Sequence, residues 1–262
     1  MTEHRLSLDG IWEFQIDPSD GLDASHIRDW RQAVVPMPWQ AQFEDLRHTS
    51  GVVWYRRNFT VDPGLLRSTS AGAAILHFGA VDYQATVWLN GERIGEHEGG
   101  YLPFEFNVID LLLEGDNELL VRVVDSTDDR HLYPEFPFSE VPHGKQSWYG
   151  PIGGIWQSLW LELRPRLHIA QFWVAPSPGD ATLAVKVALN GTPSGAFQVV
   201  CTVTGPDGQT AGSGVLGEGL AGVIRLDQAP QLWSPNSPSL YTVDATLMLD
   251  GQAVHSARKV CG

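Results

Sequence analysis

Cysteine is almost missing: the 262 residues hold only Cys201 and Cys261. Two such distant residues cannot form the disulfide framework of a small secreted domain or a cysteine-rich zinc site. Positive charge is scarce too. The only lysines are Lys145, Lys186 and Lys259, and 31 acidic residues face 17 basic ones, for a formal charge of -14. That balance argues against nucleic acid or an anionic membrane as partner, because phosphate contacts need clustered Lys and Arg. No run of 18 apolar residues could span a membrane. The opening Met1-Thr2-Glu3-His4-Arg5 passes into Leu6-Ser7-Leu8-Asp9-Gly10 without the apolar core of a signal peptide. A soluble, cytoplasmic protein is expected. Nucleophile elbows, phosphate-binding loops, His-Glu-x-x-His and dinucleotide fingerprints are all lacking. No cofactor and no metal ligand is therefore expected.

What is present is apolar, aromatic and rich in turns. Apolar residues make up 43% of the chain, and ten tryptophans stand beside 27 glycines and 17 prolines. Only 18% of residues are charged, which rules out a wholly disordered chain. At a working size of ~150 residues per domain, the length suits one large domain or two ordinary ones.

Period-2 alternation recurs along the first half, as in Trp12 to Ile16, with Trp12, Phe14 and Ile16 on one face. Further strands are read at Val53 to Val61, Ala73 to Phe78, Thr86 to Leu89, Glu92 to His97, Phe104 to Val108, Glu118 to Asp125 and Ile155 to Leu163. Asn90-Gly91 supplies a two-residue hairpin turn. Helical spacing shows only around Ala24 to Val34. Near Pro165 the character changes, and plainer strands follow at Leu167 to Ala175, Thr182 to Leu189, Phe197 to Thr204, Val223 to Leu226, Tyr241 to Leu249 and Gln252 to Val260. The fold class expected is all-β, with two sandwich-like domains, residues 1–165 and 166–262. The second has the size of an immunoglobulin-like sandwich.

Chemistry-bearing residues are few. His131 and His143 read as surface residues, and Asp125, Asp128 and Asp129 as a solvated turn. Trp12, Trp88 and Trp160 lie within strands and are assigned to the core. The stretch from Gly144 to Gln157 carries Lys145, Gln146, Trp148, Tyr149 and Trp156 among glycines and prolines. Aromatic faces stack on pyranose rings, while amide and ammonium groups bond hydroxyls. Trp148 and Tyr149 serve either that purpose or as plugs for the sandwich end; Trp156 is read as a plug.

These pieces, in order, resemble the N-terminal part of glycoside hydrolase family 2, the family of bacterial β-galactosidases, β-glucuronidases and β-mannosidases. The matching pieces are Leu8-Asp9-Gly10-Ile11-Trp12-Glu13-Phe14, Val35-Pro36-Met37-Pro38-Trp39-Gln40 and Gly51-Val52-Val53-Trp54-Tyr55-Arg56-Arg57. Val87-Trp88-Leu89-Asn90-Gly91 and His97-Glu98-Gly99-Gly100-Tyr101-Leu102-Pro103-Phe104 follow. Gly115-Asp116-Asn117-Glu118-Leu119, Gly144-Lys145-Gln146 and Gly154-Ile155-Trp156-Gln157 come next. Leu232-Trp233-Ser234-Pro235 with Pro238-Ser239-Leu240-Tyr241 completes the series.

The resemblance implies a jelly-roll sugar-binding domain, then an immunoglobulin-like β-sandwich. In that family a (β/α)8 barrel comes next and carries both catalytic glutamates. The chain stops at Val260-Cys261-Gly262, so it is expected to lack the barrel and, alone, to be inactive. Its implied partners are a β-glycoside substrate and that barrel; a homo-oligomeric parent stays open. No catalytic residue is assigned here. The substrate-binding candidates are Lys145, Gln146, Trp148 and Tyr149. Galactosidase and glucuronidase relatives carry a sugar-facing aspartate in this loop, but nothing between Lys145 and Ile155 is acidic. The competing readings are a free-standing carbohydrate-binding protein and a structural pair of domains for subunit contacts.

Overall fold

Alternation of apolar and polar side chains turns most of the chain into antiparallel strand. The computed structural model describes residues 4–24, 27–68, 71–142 and 152–262. The chain divides into two units, one of Arg5–Leu163 and one built on Arg164–Gly262. The first unit holds β1 (His4–Ser7), β2 (Gly10–Asp17), β3 (Arg31–Val35), β4 (Gly51–Val61), β5 (Ala71–Phe78) and β6 (Val81–Asp82). It continues with β7 (Gln84–Leu89), β8 (Glu92–Glu98), β9 (Phe104–Asn107), β10 (Gly115–Asp125), β11 (Gly154–Ile155) and β12 (Leu159–Pro165). One sheet runs β3-β2-β4-β10-β7-β8, another β1-β12-β5-β9, and β6 pairs with β11. Among the described residues, helix is limited to short turns such as α1 (Trp39–Gln42) and α2 (Leu65–Ser68). Among the described residues, no helix is long and apolar enough to cross a membrane.

Register explains the core. Phe14 faces Tyr55, Tyr55 faces Val121 and Val121 faces Val87 across four neighbouring strands. All four are fully buried, each contributing on the order of 2 kcal/mol relative to exposure. Leu76 and Phe78 of β5, with Leu159 and Leu161 of β12, close the same core from the second sheet. Shifting any strand by one residue would turn this row to solvent.

Three expectations need correction. The segment read as helical around Ala24 to Val34 contributes β3 instead. Leu22, Ile27 and Trp30 pack over Trp54, Trp88 and Leu120 on the outward side of the six-stranded sheet. Gln15 Oε1 accepts from the backbone N–H of Arg28 and of Asp29, at 3.2 and 3.1 Å, and fixes this covering segment. Trp88 therefore lies outside the main core, 5.4 Å from Trp54. Trp160 also faces outward: its ring stacks on His77 at 4.8 Å, and the Arg5 guanidinium sits 3.8 Å from its centroid. Trp12 is a core residue, 1% exposed.

The second unit holds β13 (Ile169–Ser177), β14 (Thr182–Leu189), β15 (Phe197–Thr204), β16 (Thr210–Leu216), β17 (Ala221–Arg225), β18 (Tyr241–Leu249) and β19 (Gln252–Cys261). Its sheets run β13-β14-β17 and β16-β15-β18-β19. Leu183, Val185 and Val187 from one meet Val199, Cys201, Val203, Val243 and Leu247 from the other. The hairpins at Asn90-Gly91 and Asp250-Gly251 place both central residues at positive φ, the conformation their sequences favour.

Candidate functional site

The sugar contacts inferred from sequence, Lys145, Gln146, Trp148 and Tyr149, lie outside the described residues. Gly153, which follows them in sequence, sits in a buried frame with Trp39, Gln40 and Asp125. Pro38 leads into α1, whose first two residues point inward: Trp39 is fully buried and Gln40 is 8% exposed. The Trp39 indole N–H donates to the Thr49 carbonyl at 3.0 Å. Gln40 uses both ends of its amide. Its Nε2 donates to Asp125 Oδ2 at 3.1 Å and to the Thr49 carbonyl at 3.2 Å. Its Oε1 accepts from the Gly153 N–H at 2.9 Å. Trp39 N–H donates to the Gly153 carbonyl at 3.3 Å, and Met37 N–H to the Ile155 carbonyl at 3.0 Å. The chain returning at Gly153 is thus bonded through both its backbone groups.

Only glycine fits there. A Cβ on Gly153 would lie 2.3 Å from the Trp39 ring and 2.7 Å from Asp125 Cβ. On Gly154, at φ +109°, it would lie 2.4 Å from the Tyr55 hydroxyl. Gly154 also pairs with Asp82, whose carboxylate fills the space that a Cβ on Gly100 would need.

Asp125 ends β10 opposite Gly51 and is 4% exposed. Burial, and then the Asp82 charge, pushes its carboxyl up to about 7, against the opposing hydrogen bonds from Ser50 and Gln40. Burial likewise raises the Tyr55 phenol, and burial followed by Glu98 raises that of Tyr83. The Tyr83 hydroxyl bonds Glu98 Oε1 at 3.1 Å. The Trp156 indole donates to the Gly100 carbonyl at 2.8 Å, with the Tyr101 ring edge-on at 6.1 Å.

The acidic trio read as one solvated turn is divided. Asp128 and Asp129 are exposed turn residues: Asp128 Oδ1 accepts from Ser139 N–H at 2.7 Å, and Asp129 Oδ1 from His131 N–H at 2.9 Å. Asp125 belongs instead to the buried frame with Gln40, which sequence reasoning did not single out. The available signal was its place at the end of the apolar run Leu119 to Val124, interrupted only by Arg122. Among the described residues no cluster of His, Cys, Asp and Glu is arranged to hold a metal ion.

Both units are built of paired β-sheets, and the first carries a glycine turn anchored on a buried amide. The chain belongs to glycosyl hydrolase family 2. The model of its sugar binding domain matches residues 6–161, and a second family 2 model matches residues 167–262. A β-galactosidase of Thermoanaerobacter pseudethanolicus is 29% identical over 80% of this chain, and a β-glucuronidase of Paenibacillus borealis 26% identical over 95%. The chain spans 27% and 43% of those two relatives' lengths. A solved β-glucuronidase from Ruminococcus gnavus, in complex with D-glucaro 1,5-lactone, shares the fold. Its TM-score is 0.79 at 19% identity, over 99% of this chain and 45% of that one.

Proposed function

We propose that the chain is the scaffolding and substrate-edge part of a β-glycoside hydrolase. The observation that carries this reading is the pair of family 2 models covering the chain nearly end to end, while the chain spans under half of the relatives' length. Residues 1–165 act as the sugar-binding jelly roll and residues 166–262 as the immunoglobulin-like sandwich. Hydrolysis in a retaining glycosidase needs two carboxyl groups about 5–5.5 Å apart, and a partnering (β/α)8 barrel supplies them. Lys145, Gln146, Trp148 and Tyr149 contact the sugar's edge. Two unpaired cysteines fit a reducing, cytoplasmic setting.

The test is hydrolysis. The 262-residue chain should leave aryl β-glucuronides, β-galactosides and β-mannosides intact, and a protein extended into the downstream reading frame should cleave one of them. In that protein, Trp148→Ala and Gln146→Ala should lower kcat/KM about tenfold or more, without lowering Tm. Turnover by the short chain, or an effect confined to Tm, would overturn the reading.

A further inference from the structure

The outward face of the sheet β13-β14-β17 carries Lys186 and Arg225 beside an exposed indole. Its three strands contain no aspartate or glutamate, in a chain that has 31. Alternation buries Phe172, Leu183, Val185 and Ile224 and leaves their neighbours outside. Register then sets out the exposed face in rows. Trp173 pairs with Lys186, and Lys186 with Ala221; Ala175 pairs with Ala184, and Ala184 with Val223. The Lys186 ammonium lies 5.5 Å from the Trp173 ring centroid. The alanines make a low floor above which Trp173, 46% exposed, stands clear. Arg225, paired with Thr182, sits four residues beyond Ala221, or about 13 Å along the strand.

We propose that this face binds an oligosaccharide bearing carboxylate groups. The indole stacks on the apolar face of one pyranose. Lys186 pairs with a carboxylate beside that ring, and Arg225 with a second one further along, where its planar fork suits a carboxylate. A neutral glycan would gain nothing from the charge of either cation. The choice of a sugar rests on the glycosidase reading above; the choice of an acidic one rests on this face alone.

The probe is a tetramer of β-1,4-linked glucuronic acid, titrated into the intact 262-residue chain while the Trp173 indole N–H is followed by NMR, with cellotetraose as the neutral control. The acidic tetramer should shift that signal saturably, and more weakly as salt is raised. The control should bind at least tenfold more weakly. Trp173→Ala should weaken binding about tenfold, and Lys186→Gln and Arg225→Gln about threefold each. These side chains are on the surface, and an unchanged circular dichroism spectrum verifies folding. Trp148→Ala should leave this binding intact, which separates the result from failure of the contacts in the first unit. An unmoved Trp173 signal, equal response to cellotetraose, or a shift that follows protein concentration without sugar would overturn the proposal. The last of these would identify the face as a contact between two copies of the chain.

Discussion

The side-chain amide of Gln40 joins the buried carboxylate of Asp125, 85 positions along the chain, to the backbone N–H of Gly153. No apolar residue can replace both ends of that bridge. Gln40→Leu would leave the buried Gly153 N–H without its acceptor and take one of two side-chain donors from Asp125, where Ser50 remains, and should lower the unfolding free energy by about 2–4 kcal/mol. Urea unfolding measures this. A loss under ~0.5 kcal/mol, within the range of ordinary surface changes, would mean that water takes over both bonds.

Asp125 also sets a pH dependence. Its carboxyl titrates near 7 when folded and near ~4 when unfolded. The folded state therefore binds a proton that the unfolded chain has released, and the associated stability is complete below about pH 4 and lost as pH rises through 7. Asp125→Asn removes this slope and still offers Gln40 an oxygen. At pH 8 the variant should be the more stable by about 2 kcal/mol. Denaturation midpoints of both proteins from pH 5 to 8 provide the check: parallel curves would show that Asp125 ionises in the ordinary range.

Gly153→Ala puts a methyl group against the Trp39 ring and Asp125 at once. Both neighbours are pinned, so the backbone must shift, at a cost of about 2–3 kcal/mol. Gly179, with nothing within 4 Å of its would-be Cβ, is the control: Gly179→Ala should be nearly silent in the same thermal melts.

Cys201 is fully buried, and burial pushes its thiol up to about 11. The thiolate is the reactive form, so an aromatic disulfide reagent at pH 8 should modify it only as fast as the domain unfolds. Cys261 is partly exposed and should react first. Two thiols released together in the native state would contradict the packing.

Strands whose side chains alternate strictly were legible in the sequence. Thr182–Leu189, Phe197–Thr204 and Tyr241–Leu249 have the bounds expected of them. Thr210–Leu216 was missed because Ala211, Gly212 and Gly214 replace the usual apolar pattern. Gly212 is required there, since a Cβ would come within 2.6 Å of the Arg225 carbonyl. That contact joins residues distant in sequence and has no local signature. Arg31–Val35 was hidden by apolar spacing that mimics a helix but serves two surfaces, the covering segment and the core. The frame of the candidate site was less legible still. A buried aspartate and a turn aspartate look alike until Gln40, far upstream, is brought beside one of them.

The last strand of the six-stranded sheet, β8, carries Glu92, Arg93, Glu96 and Glu98 among its seven residues. An open strand offers unused N–H and C=O groups to any other strand that drifts alongside. Here, two molecules meeting edge to edge would bring three carboxylates against three, only Glu96 being paired on its own strand, to Arg93, and the net repulsion opposes a ladder. Colloidal behaviour follows from this. The sheet ends at β8 by electrostatic refusal, and edge-joined assemblies should appear in concentrated solution only when Glu92, Glu96 and Glu98 are replaced by glutamine.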